Sequence, residues 1–548
     1  MRTFPWGAQW LTMLLLALSG VSILHAQTPD ETFVAALGEL REATYDDKAA
    51  LVERLTQSGH ASVSAVLTAL MEDRLFFRND DQKVFVGATP EGDSIKLIDP
   101  LSLKESGSAP PDSLTKIGTN NGLRRTLRFA LARFKLASPD PSVRLEAVRD
   151  LNQSLDEATV PILKERAAKE TDAGVKKEIE TGLALAALDG MDSAAKLAAI
   201  NTLSSSVSQE VRNRLALLYE KAEDGSYAEP DEKVRTAATT AVYGIDQWRT
   251  FYSAIETLFF GLSLGSVLIL IAIGLAITFG VMGVINMAHG ELMMLGAYTT
   301  YTVQLMMPNN IGLSILVAIP AAFIVSGLAG VLMERTIIRF LYGRPLETLL
   351  ATFGVSLILQ QTVRSIFSAN NRSVLTPDWM SGSVRINDAL AITSNRLYIV
   401  LFTLIVFTLI LAVLKRTRIG LDIRAVSQNR AMAKAMGIRT EWVDAMTFGL
   451  GSGIAGVAGV ALSQLTNVGP NLGQSYIIDS FMVVVFGGVG NLWGAFIGGA
   501  SMGIVNKLLE PYAGAVLAKI VVLVALILFI QARPRGLFPP TGRGTEDK

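Results

Sequence analysis

The sequence predicts an all-α protein in two unlike parts, an exported α-helical domain followed by a polytopic membrane helical bundle. Three observations carry that reading. Residues 251–532 hold nine apolar runs, near 255–281, 290–307, 311–333, 346–367, 397–414, 442–466, 476–488, 492–506 and 514–531, with almost no charge inside them. Residues 27–250 are rich in Asp, Glu, Lys and Arg and place apolar residues at three- and four-residue spacing, the period of an amphipathic helix. The chain opens with Arg2, an apolar Leu11–Leu18 centre and Ser22-Ile-Leu-His-Ala26, the layout of a secretory signal.

Composition excludes several classes. The 548 residues are too many for one domain, and 50% of them are hydrophobic, too apolar for an ordinary soluble enzyme. The mean hydropathy of +0.39 agrees. Basic and acidic residues number 49 each, so the zero net charge is the sum of two unlike halves, with no sign of nucleic-acid binding. Cysteine is absent, which excludes disulfides and thiolate metal sites. Only His25, His60 and His289 could serve a His-based metal cluster, too few for one to be expected.

Residues 1–26 read as a signal peptide cleaved after Ala26, with an uncleaved anchor as the alternative; either way the domain 27–250 is exported. Thr32 to Arg78 is helical in pattern (Phe33, Leu37, Leu40; Leu51, Leu55). Residues 79–120 hold turn formers around Lys83–Val86 and Ser94–Ile98, a small β excursion or a long loop. A repeat then starts at Asp140-Pro-Ser-Val-Arg. It is echoed at Ala173-Gly-Val-Lys, Gln209-Glu-Val-Arg and Asp231-Glu-Lys-Val-Arg, its Val steps 32, 36 and 23 residues apart. That period suits a degenerate HEAT-like array of stacked helix pairs, and its irregularity leaves a plain helical bundle open. The domain either docks a partner along a concave face or caps the membrane part.

The membrane part is expected over 251–540. The run from Thr257 to Val281 comfortably spans a hydrocarbon core of about 30 Å. The basic loops are 334–344, 415–440 and the tail after Gln531, and 415–440 carries seven basic residues against one acid. Positive charge marks cytoplasmic loops, so counting spans back from Glu334 leaves Trp248 outside, where the signal also puts it. Seven full spans are expected, plus a pair of half-helices hinged on Gly487-Gly-Val-Gly-Asn491. The N-terminal domain is expected outside and the tail 541–548 in the cytoplasm, an orientation that the family resemblance given below implies is across a bacterial inner membrane, with the N-terminal domain periplasmic.

Several motifs carry chemistry. The patch Asn286-Met-Ala-His-Gly-Glu291 interrupts the apolar runs, and lipid cannot hydrogen-bond an irregular backbone, so other helices must shelter it or it must line a wet cavity. Asn286 supplies donor and acceptor, and His289 can supply either. Glu291 at membrane depth is costly to bury and so a functional candidate. These groups form a substrate pathway or cap two broken helix ends. Thr352, Phe353 and Gly354 are weaker pathway candidates, and Asp479 could neutralise a basic group on a neighbouring span. Gly451-Ser-Gly453-Ile-Ala-Gly456 matches a dinucleotide fingerprint but sits inside an apolar helix with no preceding strand, so Gly449, Gly453, Gly456 and Gly459 read as a thinned packing face. No GxxxxGK[ST] occurs, so any ATP-driven engine is another polypeptide. In loop 415–440 a short helix, Ile423–Met436, ends at Gly437, suited to a left-handed cap. Its Ala and Met side chains, ringed by Arg and Lys, fit a groove on a cytoplasmic partner, or the loop merely sets topology.

Three separated stretches then resemble one family: Arg416–Arg439, Gly283-Val-Ile-Asn-Met-Ala-His-Gly-Glu-Leu-Met-Met-Leu-Gly-Ala-Tyr298, and Gly487-Gly-Val-Gly-Asn-Leu-Trp-Gly-Ala-Phe-Ile-Gly-Gly499. Over about 251–540 the chain resembles ABC importer permeases of the branched-chain amino-acid type. The exported domain ahead of the permease and the tract Ala369–Trp379 resemble the urea-permease subgroup; many members of the family lack such a domain. The resemblance implies a permease subunit that imports urea, with a branched-chain or other amino acid as the alternative cargo. It implies a second homologous permease subunit, two cytoplasmic ATPase subunits that bind the ATP, a periplasmic substrate-binding protein, membrane lipid around the spans, and no cofactor on this chain. ATPase coupling would fall to Arg424, Asn429, Ala433, Met436, Gly437 and Ile438. A zwitterionic cargo would need paired charges in the pathway, and the candidates named above are sparse. A membrane receptor would need a cytoplasmic output domain, for which Gln531–Lys548 is too short. A membrane enzyme would need a paired catalytic constellation, which the sequence does not offer.

Overall fold

The computed structural model describes residues 29–88, 94–152, 155, 159–221 and 225–539. The expected signal peptide and the tail 541–548 lie outside the described residues. Contacts divide the chain into two compact units, Met1–Ser206 with Glu210–Ile245, and Val207–Gln209 with Asp246–Lys548.

In the first unit α1 (Pro29–Glu39), α2 (Tyr45–Gln57) and α3 (Val63–Met71) close over Phe33, Leu40, Leu55 and Leu70, all fully buried. A five-stranded antiparallel sheet follows: β1 (Leu75–Arg78), β2 (Val84–Gly87), β3 (Ile95–Ile98), β4 (Glu105–Ala109) and β5 (Leu114–Lys116), in the order β4-β3-β2-β1-β5. This corrects the expectation of helix through Arg78. Leu-Phe-Phe-Arg is aromatic-rich, and β1 pairs on both edges, Phe77 lying opposite Val84 on one side and Thr115 on the other.

Beyond the sheet come α4 (Asn121–Leu136), α5 (Pro141–Asn152), α6 (Thr159–Lys169), α7 (Ala173–Ala187), α8 (Ser193–Leu203), α9 (Gln209–Leu217) and the first turns of α10 (Glu232–Met282). One core joins Leu136, Val148, Leu163, Val175 and Ile179 from α4 to α7. The next joins Leu185, Ile200, Leu215, Val234 and Ala238 from α7 to α10, so each helix buries its apolar face on chain neighbours. Two of the repeated starts are built alike. Asp140 and Asp231 each accept the N–H two residues on, from Ser142 and Lys233, at 2.8 Å. Arg144 folds back to donate to the Ser138 and Pro139 carbonyls, and Arg235 does the same to Glu229 and Pro230. The repeated Val-Arg step thus supplies a valine, half-buried at Val143 and fully buried at Val234, and a guanidinium that ties down the preceding turn.

The second unit holds the rest of α10, then α11 (His289–Met306), α12 (Ile311–Thr336), α13 (Pro345–Phe367), the hairpin β6 (Ser383–Asn387) and β7 (Leu390–Thr393), α14 (Ser394–Arg416), α15 (Arg418–Gln428), α16 (Arg430–Ala435), α17 (Thr440–Ser463), α18 (Leu472–Gly487) and α19 (Leu492–Ala532). Among the described residues six helices are long and apolar enough to cross a membrane: α10, α12, α13, α14, α17 and α19. The unit is therefore a polytopic helical bundle. Seven full spans were expected, and the difference is α11, whose His289, Glu291, Gln304 and Thr residues lower its hydropathy. Of the expected half-helix pair, α18 has 16 residues; the other forms the first part of α19, whose 41 residues are two helices divided at the non-helical Gly514 (φ +75°), near Pro511.

α17 is the axis of this bundle, buried along almost its whole length. A methyl group at Gly451 would meet the Gly274 carbonyl of α10 at 2.6 Å, so the apparent dinucleotide fingerprint is a helix–helix contact. Large apolar side chains point outward from the other spans, among them Leu328 (65% exposed) and Leu350 (71%), as a lipid-facing surface requires.

In the first unit Arg144 grips Glu170 with two hydrogen bonds, at 3.0 and 2.8 Å, and Arg166 adds two more, at 3.0 and 2.8 Å. The Arg144 hydrogen bonds hold the Glu170 carboxyl well below the usual carboxylate range. A depressed folded value means stability that is present at neutral pH and is lost as pH falls below about 4. Glu170→Gln is expected to lower the thermal unfolding midpoint of the full chain at pH 7, and the gap to the unsubstituted chain should narrow toward pH 3.

Candidate functional site

The polar patch is a true helix break. α10 ends at Met282, Gly283 takes φ +67°, and the chain runs without helix to α11. Each free backbone group needs a protein partner here. Asn286 Oδ1 accepts the Ala288 N–H at 3.0 Å, starting the turn that leads into α11. Thr352 Oγ1, on α13, accepts the Met287 N–H at 3.1 Å and returns its own proton to a carbonyl of its helix. Gly290 makes the crossing possible: a methyl group there would lie 2.4 Å from the Gly473 carbonyl of α18.

The side chains are buried and only partly satisfied. His289 Nε2 lies 3.1 Å from the Ile271 carbonyl, which can only accept, so Nε2 carries the proton. That leaves Nδ1 as an acceptor, and among the described residues it has no partner. Glu291 Oε1 accepts from Gln360 Nε2 at 2.7 Å and from Ser356 Oγ at 3.2 Å, while Oε2 has no partner. The Nδ2 group of Asn286 is likewise buried and unpaired. Buried polar groups are normally paired, so these three atoms call for a partner that the described residues do not supply.

Of the pathway candidates, Asn286, His289, Glu291 and Thr352 fall at this break. Phe353 and Gly354 do not join them. The buried polar stripe of α13 is Thr348, Thr352, Ser356 and Gln360, spaced four apart. Successive helical residues turn by about 100°, so positions 353 and 354 face elsewhere, and Phe353 is 43% exposed. Ser356 and Gln360 were missed, although their spacing in an otherwise apolar helix was a readable signal. Asp479 does neutralise a base on a neighbouring helix, Lys519 of α19, at 2.8 Å.

The 415–440 loop forms two helices rather than one. Asn429 breaks the expected Ile423–Met436 helix and caps α16, its Oδ1 accepting the Met432 N–H at 2.9 Å. Gly437 at φ +89° ends α16, with the Ile438 N–H bonded to the Ala433 carbonyl and the Gly437 N–H to that of Lys434. This is the left-handed glycine cap with paired return bonds. The six coupling candidates separate. Met436 (76% exposed) and Asn429 face outward, and Gly437 is exposed. Ala433 is buried with Ile423, Val426 and Val443, and Ile438 packs against that cluster. Arg424 is exposed but donates to the Leu414 carbonyl at the end of α14, so it anchors the loop. Arg430 was missed: it pairs with Asp444 of α17 and lies over the Tyr342 ring, 4.0 Å from its centroid.

Glu291→Leu strands the Gln360 amide, a loss of about 1–3 kcal/mol. It is expected to lower the unfolding midpoint of the detergent-solubilised chain, whereas Glu291→Gln keeps an acceptor for Gln360 and should hold the midpoint while reducing uptake.

Comparison with known proteins adds the family. Residues 257–531 match the family described as branched-chain amino acid transport system / permease component. The chain is 31% identical over 297 residues to the high-affinity branched-chain amino acid transport system permease protein LivH of Escherichia coli (strain K12), covering 52% of this chain and 96% of that protein. It is 31% identical over 295 residues, with the same coverage, to the corresponding permease protein BraD of Pseudomonas aeruginosa. A probable LivH of Methanocaldococcus jannaschii is 25% identical over 288 residues, covering 50% of this chain and 88% of that protein. No solved structure matches the chain. With its motifs, its polytopic bundle and its matching residues taken together, the chain belongs to the branched-chain amino acid transport system permease-component family.

Proposed function

We propose that this chain is the membrane subunit of an ATP-driven importer whose cargo is urea. The observation that carries the cargo is the helix break. Its unfilled groups are one donor, Asn286 Nδ2, and two acceptors, His289 Nδ1 and Glu291 Oε2. Urea presents one carbonyl acceptor and two amide donors, the complementary set. The exported domain and the Ala369–Trp379 tract, similar to those of urea permeases, support the same cargo. A second reading is import of a branched-chain amino acid, favoured by what the relatives LivH and BraD are named for.

In this reading two cytoplasmic ATPase subunits, a second homologous permease and a periplasmic binding protein complete the importer. Loops 334–344 and 415–440 face the cytoplasm, and residues 27–250 form a periplasmic HEAT-like domain. The exposed Met432 of α16 and Met436 just after it offer a soft apolar knob to the ATPases. ATP binding closes that pair, pulls α15 and α16, and turns the cavity inward by rigid-body alternation. This chain carries out no covalent chemistry and binds no cofactor.

Uptake of labelled urea against labelled leucine, in cells with and without the gene, tests the cargo. Gene-dependent uptake of urea is expected; gene-dependent uptake of leucine alone would end the proposal. Gly437→Val forces a side chain into φ +89° and Arg424→Ala frees the loop from α14. Both are expected to lower uptake severely, with ATPase activity retained and the chain still inserted, as read by paired uptake and ATP-hydrolysis assays.

A further inference from the structure

A pocket of about 280 Å³ lies between the start of α14, the end of α17, the start of α18 and the kinked middle of α19, with Leu264 and Val267 of α10 as its apolar wall. This is the bundle face opposite α15 and α16, because α14 runs from the pocket to that loop and α17 runs back from it. Its polar groups are unevenly used. Asp479 Oδ2 is taken by Lys519, and Glu510 is paired with Lys507. Arg396 lies over the Phe260 ring, 4.9 Å from its centroid, and among the described residues no carboxylate is within ion-pair distance of it. Asn506 is 7% exposed, and its Oδ1 is buried without a partner.

The pocket adjoins the helix break along two separate helices. Val267 stands one turn before Ile271, whose carbonyl holds His289. Ser475 and Tyr476 stand two and three residues after Gly473, which abuts Gly290. One helical turn rises about 5.4 Å, so along either helix the lining of the pocket lies within about one turn of a residue that contacts the break.

We infer that this pocket is an outer binding station for a small solute that carries a carbonyl oxygen beside N–H donors, which it hands on to the Asn286–Glu291 break. The inference rests on the urea reading and extends it to a second site. Arg396 donates to the carbonyl oxygen of the solute. Oδ1 of Asn506 accepts one amide N–H, and Oδ1 of Asp479, the oxygen Lys519 leaves open, accepts another. A free α-amino acid would also engage Arg396 through its carboxylate, and the test separates the two.

The chain has no cysteine, so Ser475→Cys places the sole thiol at the pocket. In cells carrying the complete transporter, a membrane-impermeant thiol reagent should label that thiol, and urea should protect it while leucine does not. Arg396→Gln and Asn506→Leu should each raise the KM for urea about ten-fold at unchanged maximal rate, the loss expected for a hydrogen bond to a buried or charged group. Arg396→Lys should recover part of that loss. If both variants keep the original KM while the unsubstituted chain imports urea, the outer station is overturned and the importer proposal stands. If leucine protects the thiol and is the solute taken up, both fall. Where a variant fails to reach the membrane, the protection arm decides alone, and absence of protection by urea overturns the station.

Discussion

A backbone break inside an apolar bundle has no water to bond to, and that requirement organises the second unit of this protein. Between Met282 and His289 the chain leaves the helix, and every freed group must find a protein partner. Thr352 reaches across from α13 to the Met287 N–H, and Asn286 turns its own side chain onto Ala288. Those contacts bring polar side chains to membrane depth, so the device that allows the break also gathers the buried polar groups proposed as the pathway. A continuous helix here would bond its own backbone and would need neither the Asn286 turn nor the Thr352 hydroxyl.

Close contact between helices is the second constraint. No hydrophobic effect draws helices together in lipid, so association depends on shape, and small residues permit the nearest approach. Gly274 against Gly451 and Gly290 against Gly473 bring α10, α11, α17 and α18 within backbone contact. The same α17 begins beside the 415–440 loop, where Arg430 of α16 pairs with Asp444. Together with the packing of Ile423, Val426 and Ala433 on Val443, that ion pair seats the loop on the helix that packs against Gly274 of α10.

The first unit solves a different problem with different chemistry. Its short helices bury modest cores and use charge at their starts, as Asp140 with Arg144 and Asp231 with Arg235 do. Water satisfies what the protein leaves open, so irregular spacing between the starts is tolerated. In the membrane bundle, by contrast, Arg396 and the inner end of Asp479 sit where few partners exist, which is why their pairing state carries information.

The sequence by itself determined the bipartite plan, the apolar runs that became helices, the break at Asn286–Glu291 and the glycine cap at Gly437, because each depends on local period, composition or backbone freedom. It also marked Thr352, but it could not separate that residue from Phe353 and Gly354, since only packing decides which side of α13 faces the bundle. The split of the 415–440 segment at Asn429, the inward turn of Ala433 and the tie between Arg430 and Asp444 were decided in three dimensions. The pocket around Arg396 and Asn506 belongs there too. Its residues lie more than 100 positions apart in the chain, on helices that meet only once small side chains let their backbones touch, and no window of sequence holds both of them.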